Sequence, residues 1–295
     1  MVGLGADSYG SIMSIERIGV VGAGTMGHGI GQIAAQAGYD TLLCEINTEL
    51  LASALDTIRA NLAKSVELGK MVDEEREAVL SRISTTIDLG EISTTAQLVI
   101  EAVPENLELK RDIFKAIESE CQQGVTLATN TSSLSVGSIA AGLKDEGCLI
   151  GMHFFNPVHV MDLVEVIRHG RAREETVDLA VSVATRMGKT PIVVNDAPGF
   201  ATSRLGVLLG LEAMRMLEQG VATVESIDTA MELGYRHPMG PLKLTDLVGL
   251  DVRLAIARYL HEELRSEAFR PPKILEHMVA DGLLGKKSGR GFYEW

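Results

Sequence analysis

The sequence predicts an α/β protein: a doubly wound, largely parallel sheet with helices on both faces, followed by an all-helical segment. Three observations carry this. Short apolar runs alternate with helical patterns from residue 17 to residue 195, the rhythm of successive βαβ units. A Gly-x-Gly-x-x-Gly stands directly after the first apolar run. Beyond Pro198-Gly199 the strand candidates all but vanish.

In chain order, residues 1–14 lack the basic and apolar regions of a signal peptide and read as a loose tail. Strands are expected at 17–21, 41–45, 83–86, 98–103, 125–129, 148–153, 163–167 and 192–194. Helices are expected at 26–37, 49–68, 73–80, 107–121 and 174–187. Asn195-Asp196-Ala197-Pro198-Gly199-Phe200 breaks the pattern, because the residue before a proline is pushed out of the α region. This places one domain at 15–197 and a helical one at 198–295. A helix at 201–219 is apolar around most of its circumference, through Leu205, Val207, Leu208, Leu209, Leu211, Met214, Met216 and Leu217. Such a helix is expected to be buried. Its own small domain offers few partners, so part of it is expected to meet a second copy in a homodimer.

Composition narrows the function. A chain of 295 residues with 46% hydrophobic content can bury two cores. A net charge of −13 argues against nucleic acid or an anionic membrane as partner. Anionic ligands must then be held locally, by helix N-termini, backbone N–H groups and a few cations. Three cysteines, Cys44, Cys121 and Cys148, show no CxxC spacing, which points to reduced thiols and a cytoplasmic setting. The apolar stretch 17–38 is too rich in Gly, with His28, Gln32 and Gln36, to span a membrane.

Gly22-Ala23-Gly24-Thr25-Met26-Gly27 follows the first strand and opens a helix. The first Gly permits the tight turn, the second lets a pyrophosphate approach the backbone, and the third lets the helix pack closely on the strand. The helix N-terminus then offers free N–H groups and a positive dipole end. Glu45 closes the second strand, where an acid would accept hydrogen bonds from the ribose hydroxyls. No Arg follows it to take a 2′-phosphate. The set reads as a Rossmann-type NAD-binding domain with NAD preferred over NADP. FAD is the rival, with nothing later in the chain to support it.

Three further blocks carry polar residues at strand ends. Asn130-Thr131-Ser132-Ser133-Leu134 follows the strand at 125–129, and such clusters also simply turn a chain or cap a helix. Gly151-Met152-His153-Phe154-Phe155-Asn156-Pro157-Val158 ends a strand at His153. Leu163-Val164-Glu165-Val166-Ile167 sets one carboxylate in an otherwise apolar strand, a costly position without a partner. A histidine within reach would be that partner.

Together GAGTMG, EAVPEN (101–106), NTSSL, GMHFFNPV, LVEV, DAPGF (196–200) and the C-terminal GKKSGRGFYEW resemble the L-3-hydroxyacyl-CoA dehydrogenase family over residues 16–295. The resemblance implies an acyl-CoA substrate, NAD, a homodimer and a short-chain activity like that on 3-hydroxybutyryl-CoA. It also implies that His153 is the general acid/base, Glu165 its orienting carboxylate and Ser132 a substrate contact. The family has Asn where this chain has Ser203, so Ser203 is a candidate for that role on a shorter stem. Relatives of the same architecture that oxidise a free hydroxy acid such as L-gulonate, or that bind nucleotide without catalysis as crystallin-like proteins do, are the alternatives. Retention of Ser132, His153 and Glu165 argues against the last.

Glu105 and Asn130 are candidate cofactor contacts beside Gly22, Gly24, Thr25, Met26, Gly27 and Glu45, although Glu105 equally suits loop capping. Lys64 and Lys70, with Arg59, form either a small cationic patch for the CoA phosphates or a solvated face. The remaining histidines show no metal-ligand spacing, so no metal is expected. Gly285-Lys286-Lys287-Ser288-Gly289-Arg290-Gly291 resembles a P-loop in composition only.

Overall fold

The computed structural model describes residues 15–121 and 124–295, and the tail expected at 1–14 lies outside them. The chain divides into two compact units between Asp196 and Ala197. The first holds β1 (Arg17–Val21), β2 (Asp40–Cys44), β3 (Ile83–Thr86), β4 (Leu98–Glu101), β5 (Thr126–Thr129), β6 (Leu149–Phe154), β7 (Leu163–Arg168) and β8 (Thr190–Asn195). They form one sheet in the order β3-β2-β1-β4-β5-β6-β7-β8. Its helices are α1 (Gly27–Gln36), α2 (Thr48–Glu67), α3 (Asp73–Ser81), α4 (Leu89–Thr95), α5 (Leu107–Glu120), α6 (Val136–Ala140) and α7 (Glu174–Arg186). β4 and β5 are buried along their whole length, as strands covered on both faces must be. β1 lies between β2 and β4, so the connections leave it in opposite directions. That reversal opens a crevice at the carboxyl ends of β1 and β4.

Every strand pair is parallel except β6–β7, which is antiparallel. The connector 155–162 between them explains it. It is shorter than the dozen or so residues a parallel crossover needs. The expected strands are all present with ends shifted by one or two residues; β4 stops at Glu101, for instance, not at Val103. The short helices α4 and α6 were not expected. Each is a single turn or two, rich in Ser, Thr and Gly, and carries too little apolar periodicity to read.

The second unit is built from α8 (Thr202–Glu218), α9 (Val224–Thr229), α10 (Pro241–Val248), α11 (Leu250–Leu264) and α12 (Lys273–Ala280). Its core gathers Val207, Leu211 and Met214 of α8 with Leu242, Leu250, Leu254, Leu260 and Leu275. Within its own unit α8 is covered on one stripe only. Val207, Gly210, Leu211 and Met214, at helical spacing, face the core. Leu205 and Leu209, one turn apart on another face, are 62% and 44% exposed. The unit can cover only one stripe of the helix.

The C-terminal segment is strapped to this core. The buried Asp246 carboxylate accepts from the main-chain N–H groups of Phe292 (2.9 Å) and Tyr293 (2.8 Å) and from Trp295 Nε1 (3.0 Å). Gly285 to Gly291 thus belongs to a structural strap, and no helix of phosphate-loop type follows it.

Candidate active site

β1 ends at Val21, and the chain turns at Gly22 with φ 93°. A Cβ there would stand 2.8 Å from the Ala102 backbone, and one at Gly27 would stand 1.6 Å from the Gly22 carbonyl oxygen. At Gly24 a Cβ would meet nothing within 4 Å. Two glycines therefore let strand and helix close on each other, and the middle one leaves room above the start of α1. Thr25 is exposed there and Met26 is the N-cap residue. The first amides of a helix have no partner within it and attract an anion. Glu45, immediately beyond β2, folds back on this loop. Its Oε2 accepts from Ala23 N at 3.0 Å and its Oε1 from Ile46 N at 2.8 Å. A carboxylate has about four acceptor positions, so ribose hydroxyls can still be received. The set fits a dinucleotide.

Two strands away, β5 delivers the Asn130–Leu134 loop. Asn130 Oδ1 accepts from Phe154 N at 2.9 Å, tying the end of β5 to the end of β6. Glu105 anchors the loop that follows. Its Oε1 accepts from Ser132 N (3.0 Å), Ser133 N (3.1 Å), Ser133 Oγ (3.0 Å) and the Thr131 hydroxyl. Burial would raise the Glu105 pKa, but the Thr131 hydroxyl, the Lys110 charge and the serine donors together hold it below its ordinary value. Ser132 itself is exposed at the loop tip.

The antiparallel register places His153 directly opposite Glu165. Cross-strand neighbours share a face, and His153 Nδ1 lies 2.8 Å from Glu165 Oε2. The histidine is 7% exposed and the glutamate 0%. Phe155 lies against the imidazole with ring centroids 4.5 Å apart. A carboxylate bound to Nδ1 fixes the imidazole tautomer and orients the ring, the arrangement of an acid/base catalyst.

The other candidates are carried by other elements. Lys64 sits in the last turn of α2 and pairs with Glu67 at 2.9 Å, while Arg59 pairs with Asp56 at 2.8 Å. Exposed pairs of this kind are weak and would yield to a phosphate. Lys70 is exposed just beyond α2. Ser203 occupies the first turn of α8, in the helical unit, and is half-buried.

Two family models cover the chain: 3-hydroxyacyl-CoA dehydrogenase, NAD binding domain, over residues 17–197, and 3-hydroxyacyl-CoA dehydrogenase, C-terminal domain, over residues 199–295. The chain belongs to the 3-hydroxyacyl-CoA dehydrogenase family. Among its relatives, a probable 3-hydroxybutyryl-CoA dehydrogenase of Bacillus subtilis (strain 168) is 44% identical, over 96% of this chain and 98% of that protein. A 3-hydroxybutyryl-CoA dehydrogenase of Mycobacterium tuberculosis is 41% identical, over 96% and 99%. The crystal structure of (S)-3-hydroxybutyryl-CoA dehydrogenase from Ralstonia eutropha superposes with a TM-score of 0.93 at 38% identity, over 96% of this chain and 99% of that one. The dehydrogenase family resemblance read from the motifs is thus shown, together with NAD as the cofactor of the first unit.

Sequence reasoning missed the support beneath the Asn130–Leu134 loop. Glu101 and Lys110 are both buried and pair at 2.6 Å, and Lys110 also lies 3.3 Å from Glu105. Thr129 Oγ1 and Val103 N donate to Glu101 at 2.7 Å each. Burial raises the Glu101 pKa, and Lys110 with these donors works against that. The signal was present. Glu101 ends an apolar strand, and Lys110 shares the buried side of α5 with Phe114 and Ile117. Two opposite charges in core slots imply a buried pair.

Proposed function

We propose that this chain oxidises the C3 hydroxyl of a short L-3-hydroxyacyl-CoA, such as 3-hydroxybutyryl-CoA, to the ketone, and runs the reverse reduction on acetoacetyl-CoA. The observation that carries this reading is the buried His153–Glu165 pair at 2.8 Å in a chain whose relatives are named for that reaction. NAD, when bound at the Gly22–Gly27 cradle, supplies the hydride acceptor. His153 takes the hydroxyl proton on Nε2 during oxidation and returns it during reduction. Glu165 holds Nδ1 and stabilises the imidazolium that proton transfer creates. The Ser132 hydroxyl donates to the reacting oxygen, and Ser203 stands in for the family asparagine through an ordered water. Glu45 reads the adenosine ribose, with Glu105 and Asn130 lining the cofactor side. Lys64 and Lys70 neutralise CoA phosphates, since a surface of net charge −13 cannot steer them.

The protein acts as a homodimer in this reading. Leu205 and Leu209 of α8, Leu247 and Val248 of α10 and Val252 of α11 are exposed in the single chain, and a second copy would cover them. Among the described residues no helix is long and apolar enough to cross a membrane. The three cysteines are free, which suits the reducing cytoplasm.

The test is His153→Gln, assayed with acetoacetyl-CoA and NADH. Losing the general acid/base lowers kcat by roughly 10²–10⁴, about 3–5 kcal/mol of barrier, while NADH still binds. Turnover near that of the wild type removes His153 from the mechanism. A panel of free hydroxy acids run alongside decides the substrate class.

A further inference from the structure

The connector 155–162 joins the two strands that carry His153 and Glu165, and it is held from two sides. On one side the Lys189 ammonium, only 9% exposed, donates to the carbonyls of Val158 at 2.6 Å and Met161 at 2.9 Å. The next residue, Thr190, donates its N–H to Asp162 O at 2.7 Å. On the other side Val158, 2% exposed, seats on α1. A Cβ built at Gly29 would stand 2.8 Å from the Val158 Cβ. The same helix opens the phosphate cradle. One short segment therefore spans from the catalytic strands to the cofactor helix, and a buried cation pins it.

Burying an ammonium is costly, and burial lowers the Lys189 pKa against the pull of Asp162. A methionine would fill the same volume at less cost to the fold. What the lysine adds is direction. Charge-assisted hydrogen bonds are short and geometrically demanding, and two of them fix two carbonyls three residues apart. Phe154 and Val164, the last ladder pair before the connector, adjoin the His153–Glu165 pair. A connector free to shift would move the imidazole relative to α1.

We propose that Lys189 is a positioning residue for the reaction: by clamping the Val158 and Met161 carbonyls, it sets the distance between the His153 imidazole and the cofactor helix. The proposal rests on His153 being the acid/base. Misplacement of about 1 Å costs on the order of 10²-fold in rate.

Three variants of the full chain test it: Lys189→Met, Lys189→Arg and Gly29→Ala, each compared with the wild type on acetoacetyl-CoA and NADH. Lys189→Met is expected to lower kcat by roughly 10- to 100-fold, with KM for acetoacetyl-CoA held within about threefold. Lys189→Arg, which keeps the charge and donors, recovers part of that loss. Gly29→Ala leaves the lysine in place and pushes the connector from the α1 side, and it reproduces the fall in kcat. Alanine is the better helix former, so a general weakening of α1 would not account for it. Folding is followed by thermal melting. If Lys189→Met does not fold, Gly29→Ala decides. A folded Lys189→Met that melts earlier but keeps wild-type kcat overturns the proposal, as does Gly29→Ala at wild-type kcat. An inactive wild type instead overturns the assigned reaction and the role of Lys189 with it.

Discussion

Glu165→Gln isolates what the carboxylate contributes, because it changes charge and almost nothing in shape. In the wild type the Nδ1–Oε2 contact is 2.8 Å with both partners buried. A hydrogen bond to a charged group contributes about 1.5–3 kcal/mol and a neutral one about 0.5–1.5. The difference, about 1–2 kcal/mol, is the smallest loss expected when the imidazolium forms. A second loss follows from the amide. Its NH2 can donate to Nδ1, which drives the ring proton onto Nε2, the wrong tautomer for accepting the hydroxyl proton. Together these should reduce kcat by roughly 10²–10⁴, or about 3–5 kcal/mol. An enzyme cannot change an equilibrium constant, so kcat/KM must fall by the same factor in both directions at fixed pH. NADH absorbance followed from 3-hydroxybutyryl-CoA and from acetoacetyl-CoA measures this, with NADH binding and melting temperature as controls. Glu165→Asp, which keeps the charge at a longer reach, should fall between. A folded Glu165→Gln enzyme within about threefold of wild-type turnover would refute the reasoning.

Three more outcomes are expected. Glu45→Ala should narrow the preference for NAD over NADP, because the carboxylate beside Ala23 repels a 2′-phosphate; equal kcat/KM for the two cofactors in the wild type contradicts it. Glu105→Gln should loosen the Ser132 loop and lower kcat/KM by about 10-fold, the loss of a charged acceptor. Since the Glu105 pKa is depressed, its stabilising contribution is present above the ordinary carboxylate range and lost as pH falls through the depressed pKa. The melting-temperature gap to wild type should therefore close in acid, and a gap that widens there refutes the assignment. Ser203→Ala should lower kcat/KM by roughly 10-fold, and by less than Ser132→Ala, because a water-borne bond is more easily replaced; a kinetically silent variant leaves Ser203 outside the site.

The parts of the fold that were legible are those in which one signal dominates. β1, the glycine turn and α1 follow from an apolar run, three glycines of fixed spacing and a helical period, all within residues 17–36. The pairing of His153 with Glu165 was foreseeable as a need, because a glutamate in an apolar strand demands a partner. That they stand directly opposite was not read, because register belongs to the pairing of strands rather than to either strand. The antiparallel direction of β7 was nonetheless written in the length of the 155–162 connector. The Glu101–Lys110–Glu105 chain escaped because its members fall on separate elements, Glu101 in an expected strand, Lys110 in an expected helix and Glu105 in the loop between. Its meaning appears only when β4 and α5 are set side by side. For α8 the apolar circumference and the shortage of cover in a small unit are both legible, but which side stays open, that of Leu205 and Leu209, is not.

β8 is the outermost strand on its side of the sheet, beyond β7. Ile192 pairs in register with Glu165, and Pro191, with no N–H to give, pairs with Val164. Edge strands open first; Pro191 falls between residues whose N–H groups reach the β7 side, such as Thr190, and so takes no bond from the ladder. Each opening would let water beside the strand that carries Glu165 and raise the dielectric around the buried pair, weakening its hold on the imidazolium. If His153 and Glu165 carry the proton as proposed, its transfer is sensitive to the opening of a strand that bears neither group. Amide hydrogen exchange along β8 would report how often the pair is wetted, and cross-linking that edge shut should slow both.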